Sequence, residues 1–157
     1  MNDKVRTIIA ATVMPRANKI NFPEPFASMM KGRTRRPLGD LFGIKNFGVN
    51  LTTLLPGAVS SVHHRHSRQD EMVYMLEGEA TLFTDDGETI LRAGMCAGFA
   101  AGETAHHLKN NSIVNVVFLE IGDRSEGDQV IYPNDDIKLI KGEDGKWKLA
   151  HKDGKPY

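Results

Sequence analysis

The amino-acid sequence predicts an all-β protein, an antiparallel sandwich or barrel built as one domain. Three observations predict it. Short runs of apolar and β-branched residues recur between Phe47 and Ile121, Gly-containing turns separate them, and no part of that middle region sustains a 3.6-residue apolar period. At 157 residues the chain fits one domain with a hydrophobic core of its own.

Residues 1–46 contain Pro15, Pro23, Pro25 and Pro37 and little periodicity, so they read as an arm with one short strand at Thr7 to Val13. From Phe47 the pattern changes. Val49, Leu51, Thr53 and Leu55 alternate with Gly48, Asn50, Thr52 and Leu54, and Pro56-Gly57 ends the strand. Strands follow at Met72 to Leu76 and Ala80 to Thr84, with a turn at Glu77-Gly78 between them. Asp85-Asp86-Gly87-Glu88 links the second of these to Thr89 to Arg92, since an Asp-Gly pair between β-prone runs favours a hairpin. After a turn at Ala93-Gly94 come strands around Ala105 to Lys109 and Ile113 to Ile121. The predicted barrel core is therefore 47–122. In the extension 123–157, Val130-Ile131-Tyr132 and Lys138-Leu139-Ile140 have strand character, and Glu143-Asp144-Gly145-Lys146 reads as a hairpin turn before Trp147 to Leu149.

Composition narrows the function classes. The formal net charge is zero, with 40% hydrophobic and 25% charged residues, which argues against a general nucleic-acid binder. No apolar run approaches the roughly 20 residues needed to span a bilayer. The stretch Thr7 to Met14 is too short and too polar for a secretion signal, so the expected location is the cytoplasm. The single cysteine, Cys96, fits a reducing compartment and is expected to be a small buried hydrophobe. Charge is uneven along the chain: residues 1–66 hold 10 Lys/Arg against 3 Asp/Glu, and 67–157 hold 10 against 17. Much of the first excess sits at 31–36, Lys-Gly-Arg-Thr-Arg-Arg. A solvated loop is the expectation for such a run; the sharper alternative is an anchor for a phosphate, a carboxylate or an acidic neighbouring subunit.

Five of the six histidines form two clusters, His63-His64-Arg65-His66 and His106-His107. Neutral imidazole offers a nitrogen lone pair near neutral pH, which makes histidine the commonest metal ligand. On an extended strand His64 and His66 point to one face, and His63 and Arg65 to the other. Glu71 reaches that same face if Ser67-Arg68-Gln69-Asp70 supplies a turn. His106 returns to the same point across a hairpin. It shares a face with Leu108, whereas His107 shares one with Lys109 and is expected outside or behind the ligands. Three imidazoles and a carboxylate suit Fe(II), Mn, Co, Ni, Cu or Zn and leave positions open for a substrate in an octahedral ion.

Gly57, His64, His66, Glu71 and Gly78 resemble the first motif of the cupin superfamily, and Gly94, Gly102, His106 and Asn110 resemble the second. Six residues separate Gly57 from His64 where the family usually has five, but the other register would offer Arg65, which cannot ligate. Ala100 stands where proline is usual, and three residues rather than two precede His106, which leaves His106 and His107 as alternatives. Asn110, four past His106, fits the motif. The resemblance implies a jelly-roll barrel and one divalent transition-metal ion (Zn, Fe, Mn or Ni) held by His64, His66, Glu71 and His106.

The flanks, 38–50 and 122–136, are similar to a group of small bacterial single-domain cupins often labelled sugar-phosphate-isomerase-like. The implied partner is a small polar molecule, handled by isomerase-like Lewis-acid chemistry on a sugar phosphate or keto acid. The other function classes are an Fe(II)-dependent dioxygenase and a non-catalytic binding or sensing module, although no helix-turn-helix pattern supplies an output. Small cupins commonly form homodimers, and the arm, too poor in alternating apolar residues for a core of its own, is expected across a partner's barrel. Val73 and Met75 share a face with Glu71 and are expected to line the pocket. Glu120, an acid in an apolar run, is expected at the barrel mouth or in an ion pair, and Arg124 is a candidate anion contact. Glu120, His107 and Tyr74 are the candidate bases, with no catalytic assignment among them.

Overall fold

The structure is a computed structural model and describes residues 6–16, 22–141 and 147–157. The turn expected at Glu143 to Lys146 lies outside the described residues. In chain order the elements begin with a 3-10 turn at Ala10–Thr12, helix α1 (Phe26–Met29), strand β1 (Arg33–Pro37) and helix α2 (Leu38–Leu41). Then come β2 (Phe47–Leu54), β3 (Arg65–His66), β4 (Glu71–Glu77), β5 (Glu79–Thr84), β6 (Gly87–Arg92), β7 (Cys96–Phe99), β8 (His106–Lys109) and β9 (Val116–Asp123). β10 (Val130–Ile131), β11 (Lys138–Lys141) and β12 (Trp147–Ala150) close the chain. Among the described residues no helix is long and apolar enough to cross a membrane.

A five-stranded sheet, β1-β2-β9-β4-β7, faces a three-stranded one, β6-β5-β8, and all the pairings are antiparallel. Their inner faces make the barrel core. Leu54, Val73, Met75, Phe99, Val116 and Phe118 come from the first sheet, and Ala80, Leu82, Leu91 and Leu108 from the second. Side chains alternate along each strand, so Glu71, Val73 and Met75 on β4 share this face with Glu120, Phe118 and Val116 on β9. The face is apolar toward Met75 and Phe118 and polar toward Glu71 and Glu120. That gradient puts the chemistry at one end of the barrel.

A third sheet, β12-β11-β10-β3, carries the C-terminal extension against the barrel end. Its core joins Phe26 and Met30 to Val62, Tyr132, Ile137 and Leu149. Part of the arm therefore packs on the extension of its own chain, while Ile9 and Met14 stand exposed.

Several expectations need correction. Thr7 to Val13 is not a strand; its one regular element is the 3-10 turn, and the chain first meets the sheet where Arg16 N–H donates to Arg35 O (2.7 Å). The basic run at 31–36 is not a solvated loop. Its greater part is β1, paired along its length with β2, and Arg33 and Arg35 are half-buried. Ile113 is exposed before β9, which starts only at Val116. Cys96 is exposed: it opens the edge strand β7 and pairs with Tyr74, another exposed residue.

Gly78 makes the tight connection between β4 and β5 with φ +77°. A β-carbon there would lie 2.6 Å from the Asn115 carbonyl oxygen and 3.2 Å from Val116 Cα, both backbone atoms that cannot swing aside. Gly78→Ala is therefore expected to lose about 1–3 kcal/mol from the left-handed backbone alone, with the clash adding to it. Urea denaturation checks this, and a midpoint equal to that of the parent chain would refute it.

Candidate metal centre

The four predicted ligands come from separate elements. His66 lies on β3, Glu71 opens β4, His106 opens β8, and His64 joins His106 through an isolated antiparallel bridge. The bridge is a mutual backbone pair, with His106 N–H to His64 O at 2.8 Å and His64 N–H to His106 O at 3.2 Å. The turn required between His66 and Glu71 is present. Asp128 braces it by accepting the backbone N–H groups of Arg68 (2.9 Å) and Gln69 (3.3 Å).

The side chains converge on one atom. Glu71 Oε2 lies 3.2 Å from His106 Nε2 and 3.6 Å from both His64 Nε2 and His66 Nε2. The ligand atoms of His64, His66 and Glu71 all lie within 4.8 Å of one another. Outer contacts fix the tautomers. His64 Nδ1 donates to the Val62 carbonyl (3.0 Å), and His66 Nδ1 donates to Asp128 Oδ2 (2.6 Å). With Nδ1 donating, the lone pair of a neutral ring sits on Nε2, on the side of Glu71, where a metal can take it. His106 is clamped by stacking on Phe99, with centroids 3.4 Å apart and planes 2° apart.

Three imidazole nitrogens and a carboxylate oxygen gathered this closely repel one another unless a cation or shared protons sit among them. Glu71 Oε2 is buried and has no hydrogen bond of normal geometry among the described residues. This donor set fits a divalent transition metal. Burial alone would raise the Glu71 carboxyl, but where protons are shared among the four groups, the hydrogen bonds from His106 and His64 outweigh it and hold the group well below the usual carboxylate range. Burial is also the main cause of a lowered His64 pKa.

The alternative His107 points elsewhere. It stacks on Phe83 (4.8 Å, 4°), and its Nδ1 lies 3.0 Å from His63 Nδ1, whose ring reaches Asp85 through Nε2 (3.0 Å). Burial, with the neighbouring His63, pushes the His107 pKa down to about 4. Tyr74 is exposed, away from the ligands. Glu120 accepts from Thr52 Oγ1 (2.7 Å) and from Arg35, whose Nη2 and Nε lie 2.8 Å from its two oxygens. Val73 is buried and borders a small cavity beside Glu71 and His106, whereas Met75 is fully buried in the barrel core. Arg124 donates to Asp40 and to the Ile44 carbonyl (3.1 Å) at the outer rim.

His64, His66 and Glu71 open onto a cavity of about 580 Å³, whose wall includes Arg33, Arg35, Phe22 and Tyr132. Burial pushes the Tyr132 phenol up to about 12, so at neutral pH it keeps its proton and offers a hydrogen-bond donor. Asp128 and Tyr132 are functional candidates that sequence reasoning missed. Arg33 and Arg35 belong to the basic run whose alternative reading was an anion anchor, and their spacing of two puts both on one face of a strand.

A family model for the cupin domain matches residues 50–122. Among solved structures, the chain is similar to a Silicibacter pomeroyi protein described as a sugar phosphate isomerase from a cupin superfamily. The identity is 34%, the TM-score 0.86, and the match covers 97% of this chain and 96% of that one. A protein of Acidithiobacillus ferrooxidans, which carries the same isomerase label in provisional form, is 30% identical with a TM-score of 0.69, over 83% of this chain and 91% of its own. The polyketide cyclase RemF of Streptomyces resistomycificus shares the fold at 19% identity, with a TM-score of 0.65 over 90% of this chain and 89% of its own. A search of curated proteins finds no match to the chain.

Proposed function

Because this chain belongs to the cupin superfamily, we propose that His64, His66, Glu71 and His106 hold one divalent transition-metal ion at which a small polar substrate binds, in isomerase-like chemistry on a sugar phosphate or keto acid. The observation that carries this reading is the convergence of three Nε2 atoms on Glu71 Oε2, at the mouth of a cavity sized for a small molecule. Bound there, the ion supplies a Lewis acid that polarises a hydroxyl, carbonyl or enediolate oxygen.

The chain's own residues do the rest. Asp128 and the Val62 carbonyl hold two imidazoles in the tautomer that can ligate. Glu71 contributes the negative charge. Phe22, Val130 and Leu139 form the apolar part of the cavity wall and limit water around the substrate. The Tyr132 phenol presents a proton to a substrate oxygen. Glu120, tied to Arg35 and Thr52, fixes that arginine in place.

A thermal-shift screen of sugar phosphates, keto acids and hydroxy acids, with and without chelator, tests the reading. The expected result is stabilisation of the metal-loaded protein by at least one such compound, abolished by chelator. If apolar or aromatic compounds raise the melting point and no polar chelating compound does, the isomerase-like reading falls. A dioxygenase or a sensor of hydrophobic ligands then replaces it.

A further inference from the structure

The wall formed by β1 carries more positive charge than its neighbours neutralise. Arg33 and Arg35 stand two apart on one face of the strand, and both line the cavity. Glu120 faces them, but its two oxygens are spent on Arg35 and Thr52. Among the described residues Arg33 donates only to the Ser60 carbonyl, and no carboxylate there lies within ion-pair distance of it. Arg16, also on the cavity, is bonded to Asp40. The count of Arg33, Arg35 and Glu120 leaves one positive charge in excess on this wall, while the charge of Glu71 faces the imidazoles.

A half-buried guanidinium without a counter-ion is costly, and a second guanidinium beside it makes it more so. Burial and Arg35 do push the Arg33 pKa down, to about 10, which still leaves it charged at neutral pH. Tyr132 adds a second unspent donor. Its hydroxyl makes no hydrogen bond among the described residues, and its ring lies 6.2 Å from that of His64, on the same cavity. A guanidinium fork and a phenol O–H aimed into one cavity match the acceptor oxygens of a phosphate or carboxylate.

We infer that Arg33 and Tyr132, with Arg35 beside them, form an oxyanion subsite that takes the phosphate or carboxylate of a bifunctional substrate whose other end binds at His64, His66, Glu71 and His106. The second half of this statement rests on the metal reading above; the subsite itself does not. It selects small molecules with an oxygen chelate at one end and an anionic group at the other, and it discriminates against neutral sugars.

Calorimetric titration of the metal-loaded protein with 3-phosphoglycerate and with glycerate tests it, since both keep the same hydroxy-carboxylate chelate and differ in the phosphate at the far end. 3-Phosphoglycerate is expected to bind at least tenfold more tightly than glycerate. Arg33→Gln should weaken 3-phosphoglycerate by about tenfold or more, as loss of a charge-assisted hydrogen bond implies, with glycerate affinity and metal content unchanged. Tyr132→Phe should weaken it by several fold and is the measure to use if Arg33→Gln does not fold. Equal affinity of the two probes, or unchanged 3-phosphoglycerate affinity in the folded variants, overturns the subsite.

If the chain takes up no metal, the metal reading fails by itself. The subsite is then read with inorganic phosphate alone, by phosphorus NMR titration of the parent chain against Arg33→Gln. Binding that is lost in the variant upholds the subsite, and binding that is equal or absent in both overturns it.

Discussion

Replacing His66 with alanine is expected to strip most of the metal from the purified protein while leaving a folded barrel. His66 contributes one of the three imidazole nitrogens gathered around Glu71 Oε2. Partners that merely orient a ligand are worth about 10–100-fold in metal affinity, so removing a ligand should cost about a hundredfold or more. The barrel core does not depend on this ring, because the core cluster lies among Met75, Phe118, Leu82 and Leu108 toward the other end. The turn after His66 also survives, since Asp128 keeps the backbone N–H groups of Arg68 and Gln69. Metal analysis after dialysis, with a circular dichroism spectrum as the folding control, decides the matter. Unchanged stoichiometry in a folded His66→Ala protein would remove the metal-centre reading.

The next largest effect belongs to a residue that ligates nothing. Asp128 accepts the Nδ1 proton of His66 at 2.6 Å, and this bond, with the turn N–H groups, overcomes burial and keeps its carboxyl below the ordinary range. Asp128→Asn preserves the shape of the side chain but gives it a donor. If the amide oxygen stays with the turn, its NH₂ faces His66 Nδ1, which must then accept, and the proton moves to Nε2. That proton would block the lone pair needed at the centre. Metal affinity is expected to fall by about 10–100-fold, with little change in the melting temperature of the metal-free protein. Competition against a chromogenic chelator measures this, and parent-like affinity would exclude the tautomer role.

The contrast between His66 and Asp128 marks what one-dimensional pattern can reach. His64 and His66 are legible because strand side chains repeat every two residues, and Glu71 because a polar tetrapeptide before it supplies a turn. The same parity separates His106 from His107, and the structure brings His106 to Glu71. Asp128 stands 62 residues from His66, and nothing in Ser125-Glu126-Gly127-Asp128 signals that β10 will pair with the two-residue β3. β7 was missed for a related reason. Cys-Ala-Gly-Phe has no β-branched residue, and it is a strand only because β4 pairs with it. The arginines of β1 were misread because a run of charges is ordinarily solvated. Their burial depends on Glu120, 85 residues away from Arg35, and on the carbonyl of Ser60.

The position of the four donors has a mechanical meaning. Glu71 belongs to the five-stranded sheet, His106 to the three-stranded sheet and His66 to the sheet that carries the C-terminal extension. An ion shared among them would be a cross-link added to the side-chain packing and the backbone bonds, the His64–His106 bridge among them, through which these sheets meet. The extension cannot peel away from the barrel without breaking the pairing of Val130 with His66 and withdrawing Asp128 from His66 Nδ1. Local opening of that sheet, which in the metal-free chain costs only its own contacts, then carries the added cost of loosening a ligand of the ion. Filling the centre thus ties the three layers into a more cooperative unit, and occupancy and the fraying of the C-terminal strands rise and fall as opposites.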